Sequence, residues 1–324
     1  MHKYFEEKKT RYTKKQIIII AVIVILCVSI FNVWIFASYS PSCNKNITTL
    51  VEAVKNRYPF LNPAQSFYEK KDMIVDIQSL REELTKLGKN RRLTIYFEFL
   101  NTGANIAVNK ELTLWPGSLM KMPIAMAVMK KIEKGEWRLD DELVLLEEDV
   151  SPDFGELYKE PVGTRYTIEK LLEEMLINSD NTARTIFMRN LGGEERFNVV
   201  DHLGIEDVIN ENQEVNSKRY SVFWRALFSA SYLSPEHSQK LLEILTETPF
   251  ENYLALGLPK NVKFTHKIGV NEPKNIYADS GIVFVPNRPY ILTVMMEERD
   301  KNQMEYLMKL ISKKTYDYVS SYEE

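Results

Sequence analysis

The residues of this chain best suited to chemistry are a serine and a lysine three positions apart, Ser118 and Lys121. A serine hydroxyl is a weak nucleophile at its ordinary pKa, so it needs a base within hydrogen-bond reach. If both residues lie on one helix, this spacing places their side chains on the same face, one turn apart. The pair therefore predicts a serine nucleophile with a lysine as its proton acceptor.

A turn that leads into a helix would position this pair. Pro116 and Gly117 precede the serine, and a run rich in apolar residues extends from Met120 to Met129. We therefore predict a helix that starts at Ser118. The free N–H groups of a helix N-terminus favour negative charge, which would stabilise an alkoxide and later an oxyanion.

Two more short motifs follow in order, Ser179-Asp180-Asn181 and Lys267-Ile268-Gly269. Each is weak alone, because the first could be a helix cap and the second could hold a solvated strand lysine. A serine and lysine at the same spacing also occur at Ser42 and Lys45, just past an apolar run where no pocket is expected. The order of the three motifs is what gives them weight together.

In that order the motifs resemble those of the penicillin-recognising serine enzymes, and most closely those of class A β-lactamases, whose pattern is S-x-x-K, S-D-N and K-T-G. The resemblance covers about residues 72–320 and includes a hairpin at 97–109 and a helix-to-loop passage at 171–184 that carries Ser-Asp-Asn. It implies an α+β fold of the β-lactamase/transpeptidase type. That fold has an antiparallel five-stranded sheet, flanking terminal helices and an inserted all-helical lobe, with the active site between the lobes.

The resemblance assigns catalytic roles to three matching residues. Ser118 would attack a carbonyl carbon and become acylated. Lys121 would accept the serine proton if burial or a neighbouring positive charge keeps it neutral. Ser179 would relay a proton to the leaving nitrogen.

The remaining matches are implied to bind substrate. Asn181 would bind an amide of the substrate side chain, and Lys267 would attract a substrate carboxylate. Gly269 would leave room for a substrate that lies along the strand. The oxyanion hole would consist of the backbone N–H groups of Ser118 and Val270.

The chain departs from the family pattern at two places. Ile268 stands where the family has a hydroxyl residue, so the affinity for a substrate carboxylate should fall. The span from the second motif to the third is also short, and the best local match puts Asn212 where class A enzymes carry the deacylating glutamate. A shifted alignment would bring in Glu211 or Glu214 instead.

These observations leave three functions open. The first is a serine hydrolase that forms an acyl-serine with β-lactams or related amides and hydrolyses it. The second is a D-Ala-D-Ala carboxypeptidase or transpeptidase that deacylates slowly, like a penicillin-binding protein. The third is a weakly catalytic protein that binds wall peptides.

The N-terminus predicts an uncleaved membrane anchor; the alternative is a cleaved secretory signal, but the apolar stretch is longer than a usual signal core. Five basic residues occur between Lys8 and Lys15, and residues 17–37 contain no charge, which is long enough to cross a bilayer as a helix. The positive flank should stay in the cytoplasm. We therefore expect a basic tail at 1–15, an anchor at 16–37, a stalk at 38–71 and a catalytic domain at 72–324 outside the bacterial cytoplasmic membrane.

Composition and net charge limit the classes of binding partner that we expect. The chain has 324 residues, 44% of them hydrophobic, and a net charge of −3, which gives no reason to expect nucleic acid binding. We expect no metal and no cofactor, because the four histidines are scattered and Cys27 and Cys43 lie in or near the anchor. The sequence does not indicate the oligomeric state.

Apolar periodicity predicts the main elements of the catalytic domain. The charged stretch 137–165 is typical of a loop. We predict helices over 72–87, 168–177, two between 221 and 246, and one near the C-terminus, with strands over 92–99, 104–112, 263–270, 276–285 and 290–297.

Overall fold

A computed structural model of the chain describes residues 60–61, 72–206 and 208–322. These residues belong to one compact unit, Tyr58–Glu324. The predicted basic tail and anchor lie outside the described residues, as does the predicted stalk apart from Phe60 and Leu61. In the described ranges no helix combines the length and the apolar character needed to cross a membrane.

A five-stranded antiparallel sheet forms the centre of the unit. Its strands are β1 Leu93–Phe99, β2 Asn105–Val108, β7 Lys263–Asn271, β8 Ile276–Phe284 and β9 Tyr290–Glu297. Their order across the sheet is β2-β1-β9-β8-β7. Side chains alternate between the two faces of a strand. Because all residues of β1 are buried, both faces of the sheet must be covered.

The first and last helices cover one face. They are α1 Gln78–Gly88 and α8 Lys301–Ser321, and their apolar residues join one core cluster with the sheet. Alternate residues of the strands point into this core, among them Phe97 on β1, Ile268 on β7 and Leu292 on β9. This arrangement confirms the predicted terminal helices and antiparallel sheet.

The helical lobe covers the other face through a second core cluster. Its helices are α2 Lys121–Glu133, α3 Ile168–Leu176, α4 Asn181–Asn190, α5 Gly193–His202, α6 Ser217–Phe228 and α7 Pro235–Ile244. Helix α6 lies directly on the sheet, where the Trp224 indole donates to Ser280 Oγ at 2.7 Å. The lobe also holds two short strand pairs, Glu142–Val144 (β4) with Arg165–Thr167 (β5), and Thr113–Leu114 (β3) with Val215–Asn216 (β6).

Several predicted elements differ from those of the structure. Ser118 does not begin an α-helix: it lies in a 3-10 turn, Gly117–Met120, and the α-helix starts at Lys121. The first helix begins at Gln78 and not at residue 72. The predicted loop at 137–165 contains strand β4, and helices α4 and α5 were not predicted.

Candidate active site

Ser118 lies where the 3-10 turn meets strand β7. Leu119 N donates to Pro116 O at 3.1 Å, which closes the turn. A Cβ on Gly269 would lie 2.2 Å from Pro116 O, and one on Gly117, whose φ is +55°, would lie 3.0 Å from Val270 N. Gly117 and Gly269 therefore allow strand β7 to lie in direct contact with the 3-10 turn that contains Ser118.

Lys121 is the hub of the site. It is 1% exposed, and its Nζ lies 3.0 Å from Ser118 Oγ. The same atom donates to Asn181 Oδ1 at 2.6 Å and to the Ser179 carbonyl at 2.5 Å, and it lies 3.2 Å from Ser179 Oγ. The helical spacing of Ser118 and Lys121 thus produces the predicted contact, although the serine itself is in the 3-10 turn.

Ser179 connects the two lysines. Lys267 Nζ donates to Ser179 Oγ at 2.9 Å, so this hydroxyl has an ammonium or amine on each side. The backbone of Ser179 has a φ of +56°, the left-handed region that a residue with a side chain rarely adopts. Such backbone strain is typical of functional sites, and here it occurs in the residue whose carbonyl and hydroxyl both contact Lys121.

Both lysines are shifted towards their neutral forms. Burial, followed by the charges of Lys267 and Arg184, lowers the pKa of Lys121 well below its usual range, against an opposing effect of Asp180. Burial lowers the pKa of Lys267 to about 7, against an opposing effect of Asp279. A neutral Lys121 is able to accept a proton from Ser118 near neutral pH.

Asp180 holds the loop that carries Ser179. Its Oδ1 accepts from Ala183 N at 2.7 Å and so caps helix α4. Its Oδ2 accepts from Glu156 N at 2.8 Å and from Leu157 N at 3.0 Å. A Cβ on Gly155 would lie 1.9 Å from this oxygen, so only glycine permits the loop to approach.

Alternation along β7 separates Lys267 from Ile268. Lys267 points to the helical lobe, and its Nζ lies 5.7 Å from the centre of the Phe250 ring. Ile268 points the other way, is 3% exposed and packs in the core beneath the terminal helices. The side chain at this position therefore contributes packing and offers no polar atom.

The two glutamates considered for deacylation lie in the loop before β6. Glu214 accepts from Thr113 Oγ1 at 2.7 Å, and Asn210 Oδ1 ties the loop together through the Glu214 and Asn212 backbone N–H groups, each at 2.9 Å. Glu211 is exposed to solvent. A catalytic role for Glu211 stays a prediction that none of these contacts supports.

The structure brings together Ser118, Lys121, Ser179, Asn181 and Lys267, with Gly269 and Val270 on the adjoining strand. Three further residues of the site carry no motif signal. Arg184 follows Asn181 by one helical turn, Phe250 faces Lys267 and Gly155 makes room for Asp180. Of these, only Arg184 could have been found from sequence, by its spacing from Asn181 once a helix is assumed.

This geometry can support acyl transfer. It combines a hydroxyl nucleophile 3.0 Å from a buried amine with a second hydroxyl between two amines. The backbone N–H groups of Ser118 and Val270 belong to two segments that lie in direct contact at Gly117. Their role as an oxyanion hole stays a prediction.

Comparison with known proteins identifies the family of this chain. Residues 78–319 match the family model of the Beta-lactamase enzyme family. The β-lactamase VEB-1 of Pseudomonas aeruginosa is 25% identical over 273 residues, which cover 75% of this chain and 90% of that protein. The family resemblance seen in the motifs is thereby confirmed.

Solved structures extend the comparison to the fold. The structure of PBP-A superimposes with a TM-score of 0.70 at 23% identity, covering 76% of this chain and 97% of PBP-A. A β-lactamase from Sphaerobacter thermophilus superimposes with a TM-score of 0.69 at 18% identity, covering 77% of this chain and all (100%) of that one. At these identities the likeness establishes a shared fold.

Proposed function

The chain belongs to the Beta-lactamase enzyme family, and we propose that it forms an acyl-serine on Ser118 with β-lactams or related amides. The observation that carries this proposal is the 3.0 Å contact between Ser118 Oγ and the buried Nζ of Lys121. A pure binding protein has no need of a nucleophile beside a base. VEB-1 is a β-lactamase, and a mutant of PBP-A forms an acyl-enzyme complex with penicillin G.

Acylation proceeds in two steps. Ser118 Oγ bonds to the carbonyl carbon while its proton passes to neutral Lys121, and the carbonyl oxygen becomes an oxyanion that the Ser118 and Val270 N–H groups stabilise. The C–N bond then breaks. Ser179 gives its proton to the leaving nitrogen and takes one from Lys121, whose Nζ is 3.2 Å away.

We propose that deacylation is slow. The loop of Glu211 and Glu214 supports this, since one carboxylate is exposed and the other is bound to Thr113. Asp180 is also near Lys121, but its two oxygens already accept three backbone N–H groups. We infer that none of these three carboxylates activates water, so that the acyl-serine persists, and this favours the penicillin-binding type of activity on peptides that end in D-Ala-D-Ala.

The test mixes the full chain with a chromogenic cephalosporin and follows absorbance and intact mass together. We expect a stoichiometric burst and a lasting adduct on Ser118. Continuous fast turnover would show that deacylation is efficient and would contradict the slow step. Ser118→Ala should abolish the adduct, whereas Ser42→Ala, which alters the other serine of a Ser-x-x-Lys pair, should leave it unchanged; no adduct on the unaltered chain would overturn the proposal.

The same proposal includes membrane attachment through residues 16–37, with the catalytic domain on the outer side. Its support is the uncharged run at 17–37 after a basic flank. The full chain should sediment with bacterial membranes, and its catalytic domain should be cut by protease added to spheroplasts. Deletion of residues 16–37 should release it, and a protein that stays soluble with 16–37 intact would contradict the anchor.

A further inference from the structure

An aromatic ring faces the amine of Lys267. Lys267 Nζ donates to Ser179 Oγ at 2.9 Å, and it lies over the Phe250 ring, 5.7 Å from the ring centre. Lys267 and Ser179 are each 1% exposed, whereas Phe250 is partly exposed. Of these three residues, Phe250 is therefore the one that a ligand arriving from solvent meets first.

Two hydrogen bonds hold the segment that carries this ring. Thr248 Oγ1 donates to Ile177 O at 3.4 Å. Leu254 N donates to Oδ2 of Asp279, a fully buried residue of β8, at 3.0 Å. Because these bonds lie on both sides of Phe250 in the chain, they fix the ring in its place beside strand β7.

The surroundings of the Lys267 amine are unfavourable for an anion. The face of an aromatic ring carries partial negative charge, so it attracts an ammonium and repels a carboxylate. A carboxylate that reached the amine would have to displace the ring and lose part of its hydration. Ile268, the next residue of β7, points into the core and offers no polar atom. Lys267 therefore contributes little to the binding of a substrate carboxylate.

The segment that carries Phe250 also has two exposed carboxylates. Glu247 lies three residues before the ring and Glu251 one residue after it. Their charge disfavours an approaching anion, although the solvent screens it. The partly exposed ring offers apolar surface, which favours contact with an uncharged group.

We infer that Phe250 is a specificity-determining residue of this site, and that it makes a free carboxylate on the leaving group of the substrate dispensable. The inference rests on the proposed acylation of Ser118. It extends the substrate class from peptides that end in D-Ala-D-Ala to esters and amides with an uncharged, apolar leaving group. Ser118 Oγ still bonds to the carbonyl carbon, and the leaving oxygen or nitrogen still takes its proton from Ser179.

The test compares penicillin G with its methyl ester, which differs only at the carboxylate. Acylation rates are read at pH 7.5 as the mass adduct on Ser118 of the full chain, and their ratio cancels the fraction of folded protein. A hydrogen bond from a charged donor to the carboxylate would favour the acid about ten- to hundredfold. We expect a preference for the acid below about threefold, and a larger one would overturn the inference.

Removal of the ring should create the preference that the original chain lacks. Phe250→Ala opens a path to the Lys267 amine, so the acid should gain about tenfold over the ester. Phe250→Leu keeps an apolar cover and should keep the original ratio. Tyr306→Ala removes a ring that is 58% exposed on helix α8, and it should leave the ratio unchanged. The same ratio in Phe250→Ala as in the original chain would also overturn the inference.

Lysine modification distinguishes failure of the inference from failure of the proposed function. Acetic anhydride labels accessible amines, and peptide mass gives the extent of labelling at Lys267 against the exposed Lys309 of the same chain. We expect Lys267 to be protected in the original chain and to be labelled faster in Phe250→Ala. Equal labelling in the two chains refutes the cover that the inference requires, whether or not acylation occurs. If neither compound forms an adduct with the original chain, the proposed function fails, and the specificity of acylation falls with it.

Discussion

Two buried lysines set the chemistry and also weaken the fold. Lys121 and Lys267 are each 1% exposed, and burial is the leading cause that lowers the pKa of both. A group whose pKa is lower in the folded chain than in the unfolded chain binds its proton more weakly when folded. Stability therefore rises with pH between the folded and unfolded pKa values.

The lowered pKa of Lys267 predicts how the free energy of unfolding depends on pH. Lys267 titrates at about 7 in the folded chain, against an ordinary value of 10.5. Between pH 7 and 9.5 it should add about 1.4 kcal/mol per pH unit to the free energy of unfolding. Lys267→Met should lose that slope and, by raising the pKa of Lys121, part of the slope from Lys121 as well.

Urea unfolding at pH 7, 8 and 9 measures this slope. Lys309→Met, which replaces an exposed lysine on helix α8, is the matched control and should keep the slope of the original chain. Parallel curves for Lys267→Met and the original chain would show that Lys267 keeps its proton in the fold. The range stops at pH 9.5 because burial raises the pKa of Tyr220 and Tyr290, so their ionisation in the unfolded chain lowers stability above it.

Among the individual active-site residues, the sequence predicts those that belong to the three motifs. Ser118 and Lys121 meet because their spacing matches a helical turn, and Ser179 and Lys267 were placed by resemblance. Phe250 could not be predicted, because its approach to Lys267 depends on the path of the chain between α7 and β7. Glu211 could not be placed for the same reason, since loop length and not residue type determines where it lies.

Among the elements, the start of helix α4 connects the active site to the neighbouring loop. Asp180 caps this helix and also binds the loop at Glu156 and Leu157. Asp180→Asn replaces one acceptor oxygen by a donor, which leaves buried N–H groups unpaired. We expect it to cost about 2–4 kcal/mol of stability and to slow acylation, because Ser179 and Asn181 adjoin it.

Thr167 provides the matched control for Asp180, because it is also a helix cap. It caps the preceding helix, α3, through one bond from Lys170 N, so Thr167→Ala should cost about 1 kcal/mol and leave acylation unchanged. Chemical unfolding and the adduct assay measure both variants. Equal costs for the two variants would mean that the loop contacts of Asp180 contribute little.

The contact of strand β7 with the 3-10 turn that contains Ser118 leads to a prediction for Gly269. Gly269→Ala would place a Cβ 2.2 Å from Pro116 O, so the strand or the turn must move and acylation should fall at least tenfold. Gly135→Ala is the control, since a Cβ there meets nothing within 4 Å and only the φ of +72° resists it. Acylation at the original rate in Gly269→Ala would show that the turn adapts.

Element prediction succeeds where apolar periodicity is long. Strand β9 was predicted at its observed bounds, and β7 and β8 to within one residue at one end. The 3-10 turn at Ser118 could not be distinguished from the first turn of a helix, because both follow a Pro-Gly turn. Helix α4 was missed because its start coincides with the Ser-Asp-Asn motif, which the resemblance describes as a loop.

The whole molecule has two cores on opposite faces of one sheet, and the site spans the helical lobe and the sheet edge. Ser118, Lys121 and Ser179 belong to the lobe, whereas Lys267 and Val270 belong to β7. Apolar periodicity predicts the strands and helices of this unit, and the resemblance predicts how they pack on the two faces of the sheet. Neither predicts the first residue of the chain that is buried in the core, because a short pair of apolar residues has no periodicity.

Phe60 and Leu61 lie within the predicted stalk and are nevertheless buried, with Phe60 5% exposed. The Phe60 ring packs edge-on against Phe284 at 4.8 Å, and its backbone N donates to Gln239 Oε1 at 3.0 Å. Phe60→Ala in the full chain should therefore cost about 3 kcal/mol of unfolding free energy. Val75→Ala, at a residue that is 69% exposed, should change it by less than about 0.5 kcal/mol. If urea unfolding gives the same midpoint for both variants, Phe60 only rests on the surface; a loss confined to Phe60→Ala places it in the cooperative core of the catalytic domain.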